Sequence, residues 1–303
     1  MDRNSVNWYG SITAVVTPFY KDGEIDINSY TQNVELCLEA GVHGIVVTGC
    51  TGEAWALTDR EKLLLAKRTV EVVRKRVPVI SGTTSISPSD VIALSKECIK
   101  AGVDGIMVSA PYDCLPSQDE IYEHFKLISD ELKFPMLVYN IPSRLGVNLS
   151  VQLMDRLAEL ESVVAIKQSS KDYMDVFNTI KTVSDRLRVI VGYSSNRGLP
   201  CMALGADGFT STSDLQVLGK PAVELYNAYA EGDMVRARVL QELCFKTASA
   251  VSAAGTFPAS LKSAMNLVGR PGGYPRRPLL PVAGAKLEKL ASDLAALNLK
   301  VSL

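Results

Sequence analysis

The chain has 303 residues, of which 47% are hydrophobic and 21% charged, so it can bury a large core; length alone allows one large α/β domain or two smaller ones. A formal net charge of −1 leaves no electrostatic footprint for nucleic acid or an acidic membrane surface. No window reaches the roughly 18 apolar residues of a membrane span, and the opening MDRNSVNWYG lacks the basic-then-apolar layout of a secretory signal.

In chain order, short apolar runs read as strands at 12–19 (ITAVVTPF), 44–49 (GIVVTG), 77–83 (VPVISGT), 105–111 (GIMVSAP), 135–142 (PMLVYNIP), 163–169 (VVAIKQS), 187–193 (LRVIVGY) and 208–213 (GFTSTS). Between them lie amphipathic helical patterns such as INSYTQNVELCLEAG, TDREKLLLAKRTVEVVRKR, SPSDVIALSKECIKAG and SQDEIYEHFKLISDELK. Ser87 and Ser117 stand where helix caps are expected. The basic cluster Arg74-Lys75-Arg76 closes a helical pattern, where cations meet the negative end of the helix dipole. A repeated phrase, AGVHGIVV, AGVDGIMV and GADGFTST, sets one glycine after a helix and another before a strand. Gly41 and Gly102 suit a left-handed helix stop.

Eight nearly continuous apolar strands, each followed by a helix, predict a parallel sheet covered by helices, and eight such units in about 250 residues fit a closed (β/α)8 barrel. From about residue 220 the chain reads as helices, with RPGGYPRRPLLP (270–281) separating the last two. The expected organisation is a barrel over 1–219, and a last barrel helix with a C-terminal helical extension over 220–303, forming one structural unit. A doubly wound open sheet is the runner-up, disfavoured because no dinucleotide loop follows the first strand.

The six cysteines, Cys37, Cys50, Cys98, Cys114, Cys201 and Cys244, form no C-x-x-C pair, which fits a reduced cytoplasm better than a disulfide framework. With His43 and His124 as the only histidines, no zinc site is expected. The chain has no G-x-G-x-x-G or G-x-x-x-x-G-K-[ST] loop, so no nucleotide cofactor is implied.

One strand carries an anomaly. Lys167 follows Val163, Val164, Ala165 and Ile166 without a turn signal, and it is the only lysine in the eight runs. Alternation puts Ala165, Lys167 and Ser169 on one face, leaving Val164 and Ile166 against the helices. In a barrel that face is the interior, and catalytic groups gather at the strands' C-terminal ends. Desolvation lowers an amine's pKa, and a neutral amine attacks a carbonyl to form a Schiff base. The plainer alternative is a lysine paired with a buried carboxylate, or a solvated amine at a misjudged strand end.

Two other strand ends point the same way. The turn GCTGE, Gly49 to Glu53, offers closely spaced backbone N–H groups and the Thr51 hydroxyl, which suit a carboxylate. Its plain reading is a βα turn in which Glu53 favours a helix start. In YNIPSRLG, Tyr139 to Gly146, Tyr139 can pass a proton and Arg144 can hold an anion, against a packed aromatic and a solvated loop charge.

These motifs, together with TAVVTPF, GCTGEAWALT, the APY after the fourth strand, AIKQSS, GADGFTSTS, FPASLK and RRPLLPV, resemble the dihydrodipicolinate synthase/N-acetylneuraminate lyase family of Schiff-base-forming class I aldolases. The resemblance runs through most of the chain. It implies a (β/α)8 barrel with a C-terminal helical bundle, a homotetramer built from dimers or a homodimer, and no cofactor. It implies that Lys167 forms an imine with pyruvate or another 2-oxo acid, and that Tyr139 relays protons. The turn holding Cys50 and Thr51 would grip the acid's carboxylate. In the synthases the position of Arg144 binds a carboxylate of the second substrate, and backbone around the position of Thr210 faces that site.

The chain departs from the family pattern at several points. Cys50 stands where the synthases carry a relay threonine, and a thiol is a weak hydrogen-bonding group. Pro111-Tyr112-Asp113 replaces P-Y-Y: Tyr112 matches the first aromatic, while Asp113 stands where a tyrosine is lent to the neighbouring subunit. Arg144-Leu145-Gly146 replaces R-T-G, and Gln168 replaces a glutamate. Asp113 reads as a replacement acid/base group or, preferably, as a solvated loop carboxylate. Cys50 reads as a small neutral filler rather than a reactive thiol. The expected function is therefore a lyase acting beside a Schiff base by aldol cleavage, condensation or dehydration. The alternatives are dihydrodipicolinate synthase itself, and a silent 2-oxo-acid-binding paralogue.

Overall fold

The structure, a computed structural model, describes residues 1–302. Eight parallel strands close on themselves in sequence order: β1 Gly10–Ala14, β2 Gly44–Val47, β3 Val79–Gly82, β4 Gly105–Ser109, β5 Met136–Asn140, β6 Val163–Gln168, β7 Arg188–Val191 and β8 Gly208–Ser211. The fold is a (β/α)8 barrel. The helices that wrap it are α1 Ile27–Glu39, α2 Asp59–Val73, α3 Pro88–Lys100, α4 Gln118–Leu132, the short α5 Pro142–Leu145, α6 Val151–Leu157, α7 Tyr173–Val183, α8 Ser194–Ala203 and α9 Ser213–Leu218. After them come α10 Lys220–Ala230, which packs against β1 and β8 as the last helix on the barrel, and then α11 Met234–Ala254, α12 Ala259–Leu267 and α13 Ala285–Ala295.

The repeated glycines have two uses. Gly41 and Gly102 sit just past α1 and α3 at φ +85° and +95°, the left-handed stop a side chain resists. The glycines that open strands make room. A Cβ on Gly105 would fall 2.3 Å from the Trp8 ring, which is buried, and one on Gly208 would fall 2.2 Å from the Gly10 carbonyl where β8 closes on β1. Asp207 braces the same end: it accepts from Arg3 (2.6 Å), Arg188 (2.7 Å) and the Val189 N–H (2.9 Å).

Ser117 caps α4 in a reciprocal box with Glu120, as Thr58 caps α2 with Glu61. Ser87 occupies the cap position of α3, but its hydroxyl bonds Ser89 Oγ at 2.6 Å rather than a helix N–H. Past the end of α2, Arg76 donates to the Val72 and Val73 carbonyls at 2.7 and 3.1 Å, while Lys75 pairs with Asp104.

The strands are shorter than their apolar runs. The first run continues past β1 because Val15, Val16 and Phe19 stay buried after the sheet pairing ends. Val16 joins a second apolar cluster with Val217 of α9, Val251 of α11, Leu261 and Met265 of α12, and Leu290 and Leu294 of α13. Phe19 forms isolated bridges with Ile25 and Tyr274. No helix among the described residues is long and apolar enough to cross a membrane.

Candidate active site

The orientation of β6 is read from its last residue. The Gln168 amide points toward the helices, donating to Thr179 Oγ1 at 2.9 Å and accepting from Asn140 Nδ2 at 2.9 Å. Lys167, one residue earlier, therefore faces the barrel interior. Tyr139 is its register partner on β5, and Lys167 Nζ lies 4.4 Å from the centre of the Tyr139 ring. Lys167 is 6% exposed, and among the described residues no carboxylate is within ion-pair distance of it. Burial pushes its amine down to about 8, against a small upward pull from Cys50. Burial also raises the Tyr139 phenol well above its ordinary range; Cys50 and Tyr193 add to the rise, while Ser169 and Arg144 temper it.

The turn after β2 is a single 3-10 turn, Cys50–Gly52. Its later N–H groups are used internally: Gly52 donates to the Gly49 carbonyl at 3.0 Å, Glu53 to Cys50 at 3.2 Å and Ala54 to Gly49 at 3.3 Å. The Cys50 and Thr51 N–H groups have no hydrogen-bond partner among the described residues, and neither does the Thr51 hydroxyl. Two backbone donors and a hydroxyl thus remain for a ligand, beside the half-buried Cys50 that bears on both Lys167 and Tyr139.

Glu53 stands at the start of a second 3-10 turn, Ala54–Ala56, but its side chain makes no cap bond there and does not meet solvent. It is fully buried in left-handed backbone (φ 57°) and forms an ion pair with Lys262 of α12, itself fully buried. Burial pushes the Lys262 amine down to about 8, with Glu53 pulling the other way. The sequence reading did not single out Lys262. FPASLK places it in a helical pattern, and nothing local announces a partner 209 positions away.

Of the other expected site residues, Thr210 points inward. It pairs with Ile12 across the barrel closure while its neighbour Phe209 packs on Tyr226 of α10, and its buried hydroxyl has no partner among the described residues. Arg144 is exposed in α5, with its guanidinium 5.4 Å from the Trp55 ring and 3.5 Å from the Phe257 carbonyl. Tyr112 and Asp113 are exposed on the loop after β4, Asp113 at φ 70°, and neither hydrogen-bonds Lys167 or Tyr139 among the described residues. The structure thus brings Lys167, Tyr139 and Cys50 together and leaves Tyr112 and Asp113 outside that group. It adds Tyr193, between β7 and α8, held in left-handed backbone (φ 63°), a conformation that bulky residues rarely adopt. Among the described residues no group of three or more His, Cys, Asp or Glu side chains is placed to hold a metal ion.

Comparison with known proteins gives the family. The sequence profile of the "Dihydrodipicolinate synthetase family" matches residues 7–297. The chain belongs to that family. It is accordingly an enzyme of the class I aldolase type. The family member from Oceanobacillus iheyensis, 4-hydroxy-tetrahydrodipicolinate synthase, is 36% identical over 290 residues, covering 96% of this chain and 97% of the relative. The solved dihydrodipicolinate synthase from Bacillus anthracis superimposes with a TM-score of 0.90 at 36% identity, over 96% of this chain and 99% of that one. The chloride-inhibited family member from Acinetobacter baumannii, solved in complex with pyruvate, gives a TM-score of 0.91 at 31% identity, with 96% and 99% coverage.

Proposed function

We propose that this family member is a Schiff-base-forming lyase acting on pyruvate or a closely related 2-oxo acid. The observation that carries the reading is Lys167: a buried amine with a depressed pKa and, among the described residues, no acidic partner, beside two backbone N–H groups that those residues leave unpaired. The acid's carboxylate sits on the Cys50 and Thr51 N–H groups and the Thr51 hydroxyl. Neutral Lys167 adds to the keto carbon, and the carbinolamine loses water as Tyr139 delivers a proton to the leaving hydroxyl. The resulting iminium is an electron sink. Loss of a proton from C3, or cleavage of the bond beyond it, leaves an enamine that a carbonyl partner can capture. Arg144 and the backbone around Thr210 face this second partner. The Acinetobacter baumannii relative, solved with pyruvate, supports that choice of 2-oxo acid.

Cys50 and Asp113 motivate a second substrate other than aspartate semialdehyde, since a thiol and a loop carboxylate stand where relay hydroxyls are expected. The printed names of the relatives favour a second reading, 4-hydroxy-tetrahydrodipicolinate synthase. A panel of 2-oxo acids and aldehydes with mass-spectrometric readout, run beside a coupled reductase assay with aspartate semialdehyde, separates the two. Turnover confined to other aldehydes supports the first reading; brisk condensation with aspartate semialdehyde establishes the second. Lys167→Ala abolishes turnover in either case. The same reading takes the enzyme as a cytoplasmic homodimer or homotetramer, which light scattering in solution checks.

A further inference from the structure

The Glu53–Lys262 pair has no part in the chemistry just described, yet it joins the carboxylate-binding turn to the C-terminal extension. The Lys262 ammonium has three protons and three acceptors: a Glu53 carboxylate oxygen, the Thr17 carbonyl at 2.6 Å and the Tyr274 carbonyl at 2.9 Å. The other Glu53 oxygen accepts the Arg276 N–H at 3.0 Å. Arg276 also holds the Ala56 carbonyl, just past the turn, at 2.7 Å, and Thr17 Oγ1 donates to the Gly52 carbonyl at 2.8 Å. The turn is thus gripped at Gly52, Glu53 and Ala56 from outside, while Cys50 and Thr51 keep free N–H groups. A fully buried ion pair is a weak source of stability but a strong way of fixing register, because its geometry tolerates few alternatives. The left-handed backbone of Glu53 needs such an external constraint to persist.

We infer that Lys262 and Glu53 are positioning residues: they set affinity for the 2-oxo acid by aiming the Cys50 and Thr51 N–H groups, without touching substrate. The inference rests on the proposed imine chemistry and concerns only the carboxylate grip. Its test compares borohydride trapping of pyruvate with that of acetone, a ketone without a carboxylate, on the full-length protein. In the double variant Glu53→Gln/Lys262→Met, which removes both charges together, half-saturating pyruvate rises about tenfold. Half-saturating acetone stays within about twofold of the parental value, because Lys167 is undisturbed. Lys262→Arg keeps the positive charge beside Glu53 but not the three-acceptor geometry of the ammonium, and decides the question if the double variant does not fold. It raises half-saturating pyruvate about threefold and leaves acetone unchanged. Unchanged pyruvate saturation in the folded variants overturns the inference, as does a parallel rise for acetone. Absence of any pyruvate adduct on the parental protein contradicts the 2-oxo-acid reading itself and this inference with it.

Discussion

Lys167 owes its reactivity to where β6 carries it. An ordinary lysine, at 10.5, is neutral in about 3 molecules of 10,000 at pH 7; at about 8 the fraction rises to about one in ten. Because the shift is downward, neutral amine is gained as pH rises toward 8 and lost as it falls. The initial rate of imine formation with pyruvate should climb about tenfold per pH unit between pH 6 and 7 and level off above pH 8. A stopped-flow profile still climbing steeply at pH 9.5 contradicts the burial argument. Tyr139 is a separate case, since its raised pKa keeps it a proton donor at neutral pH. Tyr139→Phe should slow imine formation about 100-fold while half-saturating pyruvate moves by less than about twofold. Equal rates in single-turnover trapping remove the phenol from the proton path.

At the scale of elements, the two ends of the barrel divide stability from chemistry. Asp207, at the end opposite Lys167, ties Arg3 and Arg188 to the closure of β7 on β8, and its side chain is 7% exposed. Asp207→Ala strands two cations and the Val189 N–H, and should cost about 3 kcal/mol in urea unfolding. Turnover per folded molecule should stay unchanged; a large fall in kcat breaks the division between the ends. The strands, their parity and the glycine stops were legible in the sequence because each is a local pattern: period-two alternation placed Lys167 inward, and Gly41 and Gly102 marked helix ends. The strand ends were not. Val15 to Phe19 read on from the strand, but the strand ends at Ala14: Val15 stays with the barrel core, while Val16 is covered by the extension. Ser87 reads like Ser117, yet only Ser117 has the glutamate three residues on that completes the box. Glu53 looks like the first residue of a helix until Lys262, 209 positions later, is seen against it.

For the whole molecule, the second apolar cluster is the issue. Val16 follows β1 and Val217 follows β8, yet both pack with α11, α12 and α13 rather than with the barrel core. With the Glu53–Lys262 pair, this gives barrel and extension shared contacts that neither retains alone. We therefore expect one cooperative unfolding transition, with circular dichroism and the intrinsic fluorescence of Trp8 and Trp55 coincident in urea. Leu294→Ala, deep in that cluster, should lower the stability of the whole chain by about 3 kcal/mol. Two separated transitions identify the extension as an independent unit.

The most direct test asks which amine captures the substrate. The structure buries two lysines with similarly depressed pKa values: Lys167, which faces the barrel interior with no acidic partner among the described residues, and Lys262, saturated by three acceptors. Borohydride reduction in the presence of pyruvate, followed by peptide mass mapping, should add one reduced pyruvate to the Lys167 peptide and leave the Lys262 peptide unmodified. An adduct on Lys262, or no adduct at saturating pyruvate near pH 8, contradicts the account.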